Sequence, residues 1–215
     1  MEAIQIETGR NPQAAVIWLH GLGADGHDYE PIVPELELAK PVRFVFPHAP
    51  IRPVTINNGM RMRAWYDIYQ LGSTSGVVRE DEQGLRASQK LVEELIRAQG
   101  MPANRIVLAG FSQGGAIVLQ AGLRQAERLA GIMALSCYLP IASTVAAERG
   151  AANKDVPIFM AHGRHDDIIP IQRAQQSREF LEKLGYAVEW HEYPMPHSVC
   201  PQEIGDISAF LAKVL

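Results

Sequence analysis

The sequence predicts an α/β fold, with a mostly parallel central sheet and helices on both of its faces. Short, continuously apolar runs alternate with longer amphipathic ones along most of the chain. The first kind suits strands buried on both sides, and the second suits the helices that cover them. The apolar runs stop at His-Gly, Pro or Gly, where strands give way to loops. The most distinctive of these junctions is Gly110-Phe111-Ser112-Gln113-Gly114, set between a strand-like and a helix-like run.

Taken in order, residues 14–19 are wholly apolar and end at His20-Gly21, as a buried strand would. Residues 42–46 repeat the pattern and stop at Pro47. From Pro47 to Gly76 the chain is rich in Pro, Gly and Asn and weakly periodic, which predicts a long, binding-type loop. Residues 80–99 predict a helix: Leu85, Leu91, Val92, Leu95 and Ile96 share a face, and Gly100 and Pro102 end it. A strand over 106–109 and a helix over 115–121 flank the serine turn. Residues 131–135 predict a fourth strand, and 141–154 a loop with a short helix. A strand over 156–161, a helix over 171–184 closed by Gly185, an alternating strand over 187–193 and a helix over 202–215 with Pro201 near its first turn complete the series. In such sheets chemistry gathers beyond the carboxyl ends of the strands.

Composition narrows the class. A chain of 215 residues fits one domain spanning 1–215, with no large lid domain inserted. The net charge of −4 comes without a basic stripe or an acidic tail, so neither nucleic acid nor a solvating role is indicated. The first residues carry acids and no long apolar stretch, unlike a secretory signal. The most apolar window, 129–142, is interrupted by Ser136, Tyr138 and Pro140 and is too short for stable membrane insertion. Two cysteines, Cys137 and Cys200, make neither a disulfide framework nor a metal cage, and a reducing cytoplasm is the natural setting. A homodimer is compatible with all of this.

The serine turn is a nucleophile elbow in its sequence signature. Flanking glycines give room where a Cβ would clash, and the serine oxygen stands at the N-terminus of a helix whose dipole favours negative charge. A serine hydroxyl needs a base within reach and an acid that orients the base. Asp166 follows the 156–161 strand and His197 follows the 187–193 strand, which puts all three at carboxyl ends of strands in the order Ser, Asp, His. His20-Gly21-Leu22-Gly23, after the first apolar run, resembles the His-Gly-rich loops that present a backbone N–H to a tetrahedral oxyanion. Leu22 and Gln113 are the expected donors, both through the main chain, so that neither side chain is asked to act.

The chain resembles the phospholipase/carboxylesterase family, which includes acyl-protein thioesterases and small bacterial carboxylesterases. The resemblance rests on Leu19-His20-Gly21-Leu22-Gly23, Pro47-His48-Ala49-Pro50, Arg63-Ala64-Trp65-Tyr66-Asp67, Gly110-Phe111-Ser112-Gln113-Gly114-Gly115, Leu135-Ser136-Cys137-Tyr138-Leu139-Pro140, His162-Gly163 through Pro170, and His197-Ser198. It covers nearly the whole chain. It implies an α/β-hydrolase fold with a short lid, and ester or thioester hydrolysis without a cofactor. It also implies Asp166, three residues beyond Gly163, as the triad acid. Asp167, one residue nearer the next helix, is then expected to cap that helix. Two positions depart from the family pattern. Ala24-Asp25-Gly26 stands where eukaryotic thioesterase members usually read Asp-Thr-Gly, and Asp167 stands where Pro is frequent.

Trp65, Tyr66 and Met60, in the long loop, are candidates to line an acyl pocket. His162 and His165 beside Asp166 match no standard zinc spacing, so no metal is assigned. With no large lid, the expected activity is that of a serine carboxylesterase on short- to medium-chain carboxylic esters, with a small-molecule ester or acyl substrate as its partner. The alternatives are an acyl-protein thioesterase or lysophospholipase acting on long acyl chains and, from a different class, a non-catalytic hydrolase-fold binding module.

Overall fold

A computed structural model describes residues 1–70 and 79–215; the predicted loop residues 71–76 lie outside the described residues. The chain forms β1 (Ala3–Glu7), β2 (Ala14–Leu19), a 3-10 run (Gly26–Glu35), β3 (Val42–Pro47), β4 (Ile51–Val54), β5 (Met60–Arg63) and α1 (Glu82–Ala98). It continues with β6 (Ile106–Phe111), α2 (Gln113–Gly122), β7 (Gly131–Leu135), α3 (Ala142–Glu148), β8 (Ile158–Gly163), α4 (Ile171–Lys183), β9 (Val188–Tyr193) and α5 (Pro201–Val214). Seven strands make one sheet in the order β1-β3-β2-β6-β7-β8-β9. Every pair in it is parallel except β1 against β3.

Strand alternation divides the core into two layers. Ile17, Leu19, Ile106, Leu108, Ile132 and Met160 face the side covered by α1 to α4. Val16, Trp18, Val107, Met133 and Phe159 face the other side, covered by the 3-10 run and α5. These central strands are apolar at nearly every position because both faces are sealed, and that is what made them readable as buried strands.

Several elements were not predicted. β1 is half-exposed and alternates Ile4 and Ile6 with Gln5 and Glu7, as an edge strand with one buried face does. β4 and β5 form a separate antiparallel hairpin inside the predicted 47–76 loop. The segment after the His20 loop winds as a 3-10 run that contains Pro31 and Pro34.

The sheet order reverses at β2. The chain leaves β2 towards β3 on one side and returns to β6 on the other, so a crevice opens between the carboxyl ends of β2 and β6. Ligands of open α/β sheets bind at such switch points.

Candidate active site

Ser112 closes β6 and opens α2 with φ 54° and ψ −118°, a left-handed backbone that a serine adopts at a cost of about 1–3 kcal/mol. The strain is held by close packing. A Cβ at Gly110 would lie 2.4 Å from the Gly114 carbonyl, and one at Gly114 would lie 2.2 Å from the Leu19 carbonyl oxygen. The elbow therefore needs glycine at both positions, and α2 starts pressed against the end of β2. The Ser112 N–H donates to the Leu135 carbonyl at 2.8 Å, which pins the turn to β7.

The loop after β2 sits beside the elbow: a Cβ at Gly21 would be 3.5 Å from Ser112 Cβ. Among the described residues, no protein acceptor takes the N–H of Leu22 or that of Gln113. These are the free donors that an oxyanion would require. His20 orders the same loop. The Ala49 N–H donates to its Nε2 at 3.1 Å, so the proton sits on Nδ1 and is given to the Gly21 carbonyl at 2.7 Å. Burial lowers its pKa, which keeps the ring neutral in that tautomer.

On the other side of the elbow the structure brings Asp166 and His197 together. His197 Nδ1 lies 2.7 Å from Asp166 Oδ2. Asp166 Oδ1 accepts from the N–H groups of Ile168 at 2.9 Å and Ile169 at 2.8 Å. Burial alone would raise the Asp166 carboxyl, but the N–H groups of His162, His197 and Ile169 outweigh it and hold the pKa well below the ordinary carboxylate range. A charged carboxylate offers no proton, so His197 must donate through Nδ1 and present Nε2 as an acceptor. The imidazole packs on Phe111, the residue before Ser112, with ring centroids 4.7 Å apart. Gly163 explains how the two loops approach so closely: a Cβ there would fall 2.3 Å from the Met195 carbonyl oxygen.

His162 is a supporting residue that sequence reasoning set aside with the metal question. It is fully buried, and its Nε2 donates to the Ile169 carbonyl at 2.8 Å while lying 3.2 Å from Asp166 Oδ2. It fastens the loop that carries Asp166. Its position one residue before Gly163 was the available signal.

Other expectations are placed differently. Asp167 is exposed, α4 begins behind Pro170 without a side-chain cap, and the free N–H groups of this turn are taken by Asp166 instead. The capping role expected of Asp167 is thus corrected. The Gln113 side chain is also busier than expected. Its Oε1 accepts the Trp65 N–H and its Nε2 donates to the Tyr66 carbonyl, each at 2.8 Å. Trp65 and Tyr66 are buried at 0% and 3% exposure, whereas Met60 is 64% exposed at the start of β5. Trp65 is sealed from solvent, its indole bonded to the His20 carbonyl, so it faces no open cleft.

The model of the phospholipase/carboxylesterase family matches residues 1–215. The chain belongs to that family. It is an α/β hydrolase and a carboxylic ester hydrolase of the serine type. It is 43% identical over 213 residues to acyl-protein thioesterase 1 of Gibberella zeae, with 94% of this chain and 91% of that one covered. Against acyl-protein thioesterase 1 of Cryptococcus neoformans the identity is 40% over 220 residues, covering 94% and 92%. The crystal structure of Arabidopsis thaliana SOBER1 superposes with a TM-score of 0.87 at 30% identity, covering 93% of this chain and 98% of that one. These relatives favour the thioesterase alternative over a short-chain carboxylesterase, despite the departure at Ala24-Asp25-Gly26. No helix among the described residues is long and apolar enough to cross a membrane.

Proposed function

We propose that the protein removes acyl groups from thioesters and esters through an acyl-Ser112 intermediate, with long-chain acyl thioesters on proteins as its preferred substrates. The Asp166–His197 pair, bonded at 2.7 Å beside a strained serine elbow, is the observation that carries the reading. Ser112 Oγ attacks the acyl carbonyl carbon and its proton passes to His197 Nε2. The oxyanion is met by the N–H groups of Leu22 and Gln113. The carbon–sulfur or carbon–oxygen bond breaks, and the thiol or alcohol leaves with the proton from His197. Water, deprotonated by His197, then attacks the acyl carbon, and a carboxylic acid leaves Ser112. Asp166 stays charged and fixes the imidazole tautomer.

The acyl-protein thioesterase names of relatives at 40–43% identity support the thioester preference. Met60 is the pocket candidate free to meet an acyl chain. It shares a face of β5 with Met62, whose Sδ lies 3.7 Å from where a Gly23 Cβ would stand. Residues 1–215 serve as one catalytic domain, and every residue named comes from one chain, so the chemistry does not require the homodimer that the sequence allows. Two unpaired cysteines, one of them buried, suit a cytoplasmic location.

A fluorophosphonate should label Ser112 in the native protein and abolish turnover, and Ser112→Ala should lose at least about 10⁴-fold in kcat. Matched thioester and oxyester series of graded chain length should show kcat/KM rising with length and higher for thioesters. An unlabelled, fully active protein would end the acyl-Ser112 reading. A preference confined to short oxyesters would restore the carboxylesterase one.

A further inference from the structure

Trp65 reaches both halves of the oxyanion site from behind. Its main-chain N–H donates to Gln113 Oε1 at 2.8 Å, and its indole Nε1–H donates to the His20 carbonyl at 2.9 Å. The adjoining peptides extend the same grip. The Gln113 Nε2 group donates to the Tyr66 carbonyl at 2.8 Å, and the Gly23 N–H donates to the Arg63 carbonyl at 2.9 Å. The Ser88 hydroxyl, from α1, donates to the Trp65 carbonyl and anchors the residue from the opposite side. The indole lies against the His20 ring with centroids 5.3 Å apart, and none of it meets solvent.

Residues 63–66 therefore form a bracket between two loops. One arm holds the chain on both sides of Leu22, at His20 and Gly23. The other holds the side chain of Gln113 in the first turn of α2. The two free N–H groups, of Leu22 and Gln113, hang from the two arms. A tetrahedral oxyanion needs both donors at 2.7–3.1 Å at the same moment, and such stabilisation falls steeply with misplacement. Aromatic bulk alone would fill this space. What Trp adds is a donor at the far end of a rigid ring, in line with a main-chain donor at the near end.

We infer that Trp65 is a positioning residue that sets the spacing between the two oxyanion donors. This rests on the hydrolase reading above and goes beyond it by assigning the bracket a kinetic role. It touches no substrate, so its effect belongs in kcat and not in KM.

The test is Trp65→Phe, which keeps an aromatic ring and deletes the indole N–H. Circular dichroism and a melting curve establish that the variant is folded. On a chromogenic thioester, kcat should fall about 10- to 100-fold while KM stays within about twofold. Affinity for a boronic acid, which mimics the tetrahedral state, should fall by the same factor. Gln113→Met cuts the other arm but leaves its own main-chain N–H in place, and should show the same pattern. The double variant should lose little more than the worse single one, because both cut one bracket. A folded Trp65→Phe with native kcat overturns the inference. So does a raised KM at native kcat, which would make Trp65 a wall of the acyl pocket, and so do fully additive losses. If Trp65→Phe does not fold, Gln113→Met decides alone, and a kcat within about twofold of native overturns the inference. Phosphonate labelling of the native protein runs alongside. Absence of label there sinks the acyl-Ser112 reading on which the inference rests, whereas label together with an unaffected Trp65→Phe sinks only the positioning role.

Discussion

Replacing Asp166 by asparagine changes one atom and removes half of what the side chain can accept. The carboxylate takes two main-chain N–H groups on Oδ1 and the His197 Nδ1–H on Oδ2, with the His162 Nε2–H close by. An amide has one oxygen. If that oxygen keeps Ile168 and Ile169, the new NH₂ faces His197. The imidazole then relaxes by moving its proton to Nε2, and Nε2 can no longer accept from Ser112. If the oxygen turns to His197, the NH₂ faces two main-chain donors and the loop is left with orphaned N–H groups. The first arrangement costs catalysis and the second costs stability at about 1–3 kcal/mol per buried orphan. Asp166→Asn should therefore lose about 10³–10⁴-fold in kcat and melt a few degrees lower, at roughly 2–4 °C per kcal/mol for a chain of this size. The native carboxylate, held below its unfolded value, contributes its stability in full above about pH 4 and loses it as pH falls further. Asp167→Asn, at an exposed site without a bond to α4, should leave kcat unchanged and stability within about 0.5 kcal/mol. Steady-state rates and calorimetry on both variants check this. A crippled Asp167→Asn beside an active Asp166→Asn would refute the assignment.

Gly163→Ala should cost about 10²-fold in kcat with native KM, because the added methyl collides with the main chain at Met195 and displaces the His197 loop; native turnover in a folded variant would show that the loop gives way without harm. Glu203 in α5 is fully buried, and burial, aided by Asp206, pushes its pKa up to about 8 against the opposing pull of the Cys200 N–H. A raised carboxyl favours the folded state only while protonated, so stability should decline as pH rises from about 4.5 to about 8. Glu203→Gln should then gain on the native protein by up to about 4 kcal/mol at pH 9 relative to pH 5. Urea midpoints for both proteins that run parallel across this range would contradict it.

What could be read in advance depended on whether a residue's role is local. Buried strands such as Val16 and Ile17 announce themselves as unbroken apolar runs, and Ser112 lies inside a short signature. The hairpin was hidden because Pro53, Arg52, Arg61 and Arg63 make β4 and β5 look like loop, and their pairing is made only across the turn. β1 was hidden because a five-residue edge strand needs only Ile4 and Ile6 inward. The hydrogen bonds of Trp65 and of the Gln113 side chain were missed for a different reason. They join residues 48 and 45 positions apart, and no periodicity or local spacing encodes such a partner. Asp167 was expected to cap α4 from nearness in sequence, but the turn before Pro170 gives its N–H groups to Asp166.

The strand order also distributes the reaction machinery unevenly. Ser112 and the proposed oxyanion donors leave β6 and β2, which are flanked on both sides, while His197, the proposed base, leaves β9, which has one neighbour and ends the sheet. Openings that detach a terminal strand need far less energy than those that part a central pair. Gentle warming or dilute urea should thus release the His197 loop while Ser112 is still seated. Turnover would fade ahead of the far-ultraviolet signal and return on cooling, a silent interval in which the protein is folded by every bulk measure and chemically idle.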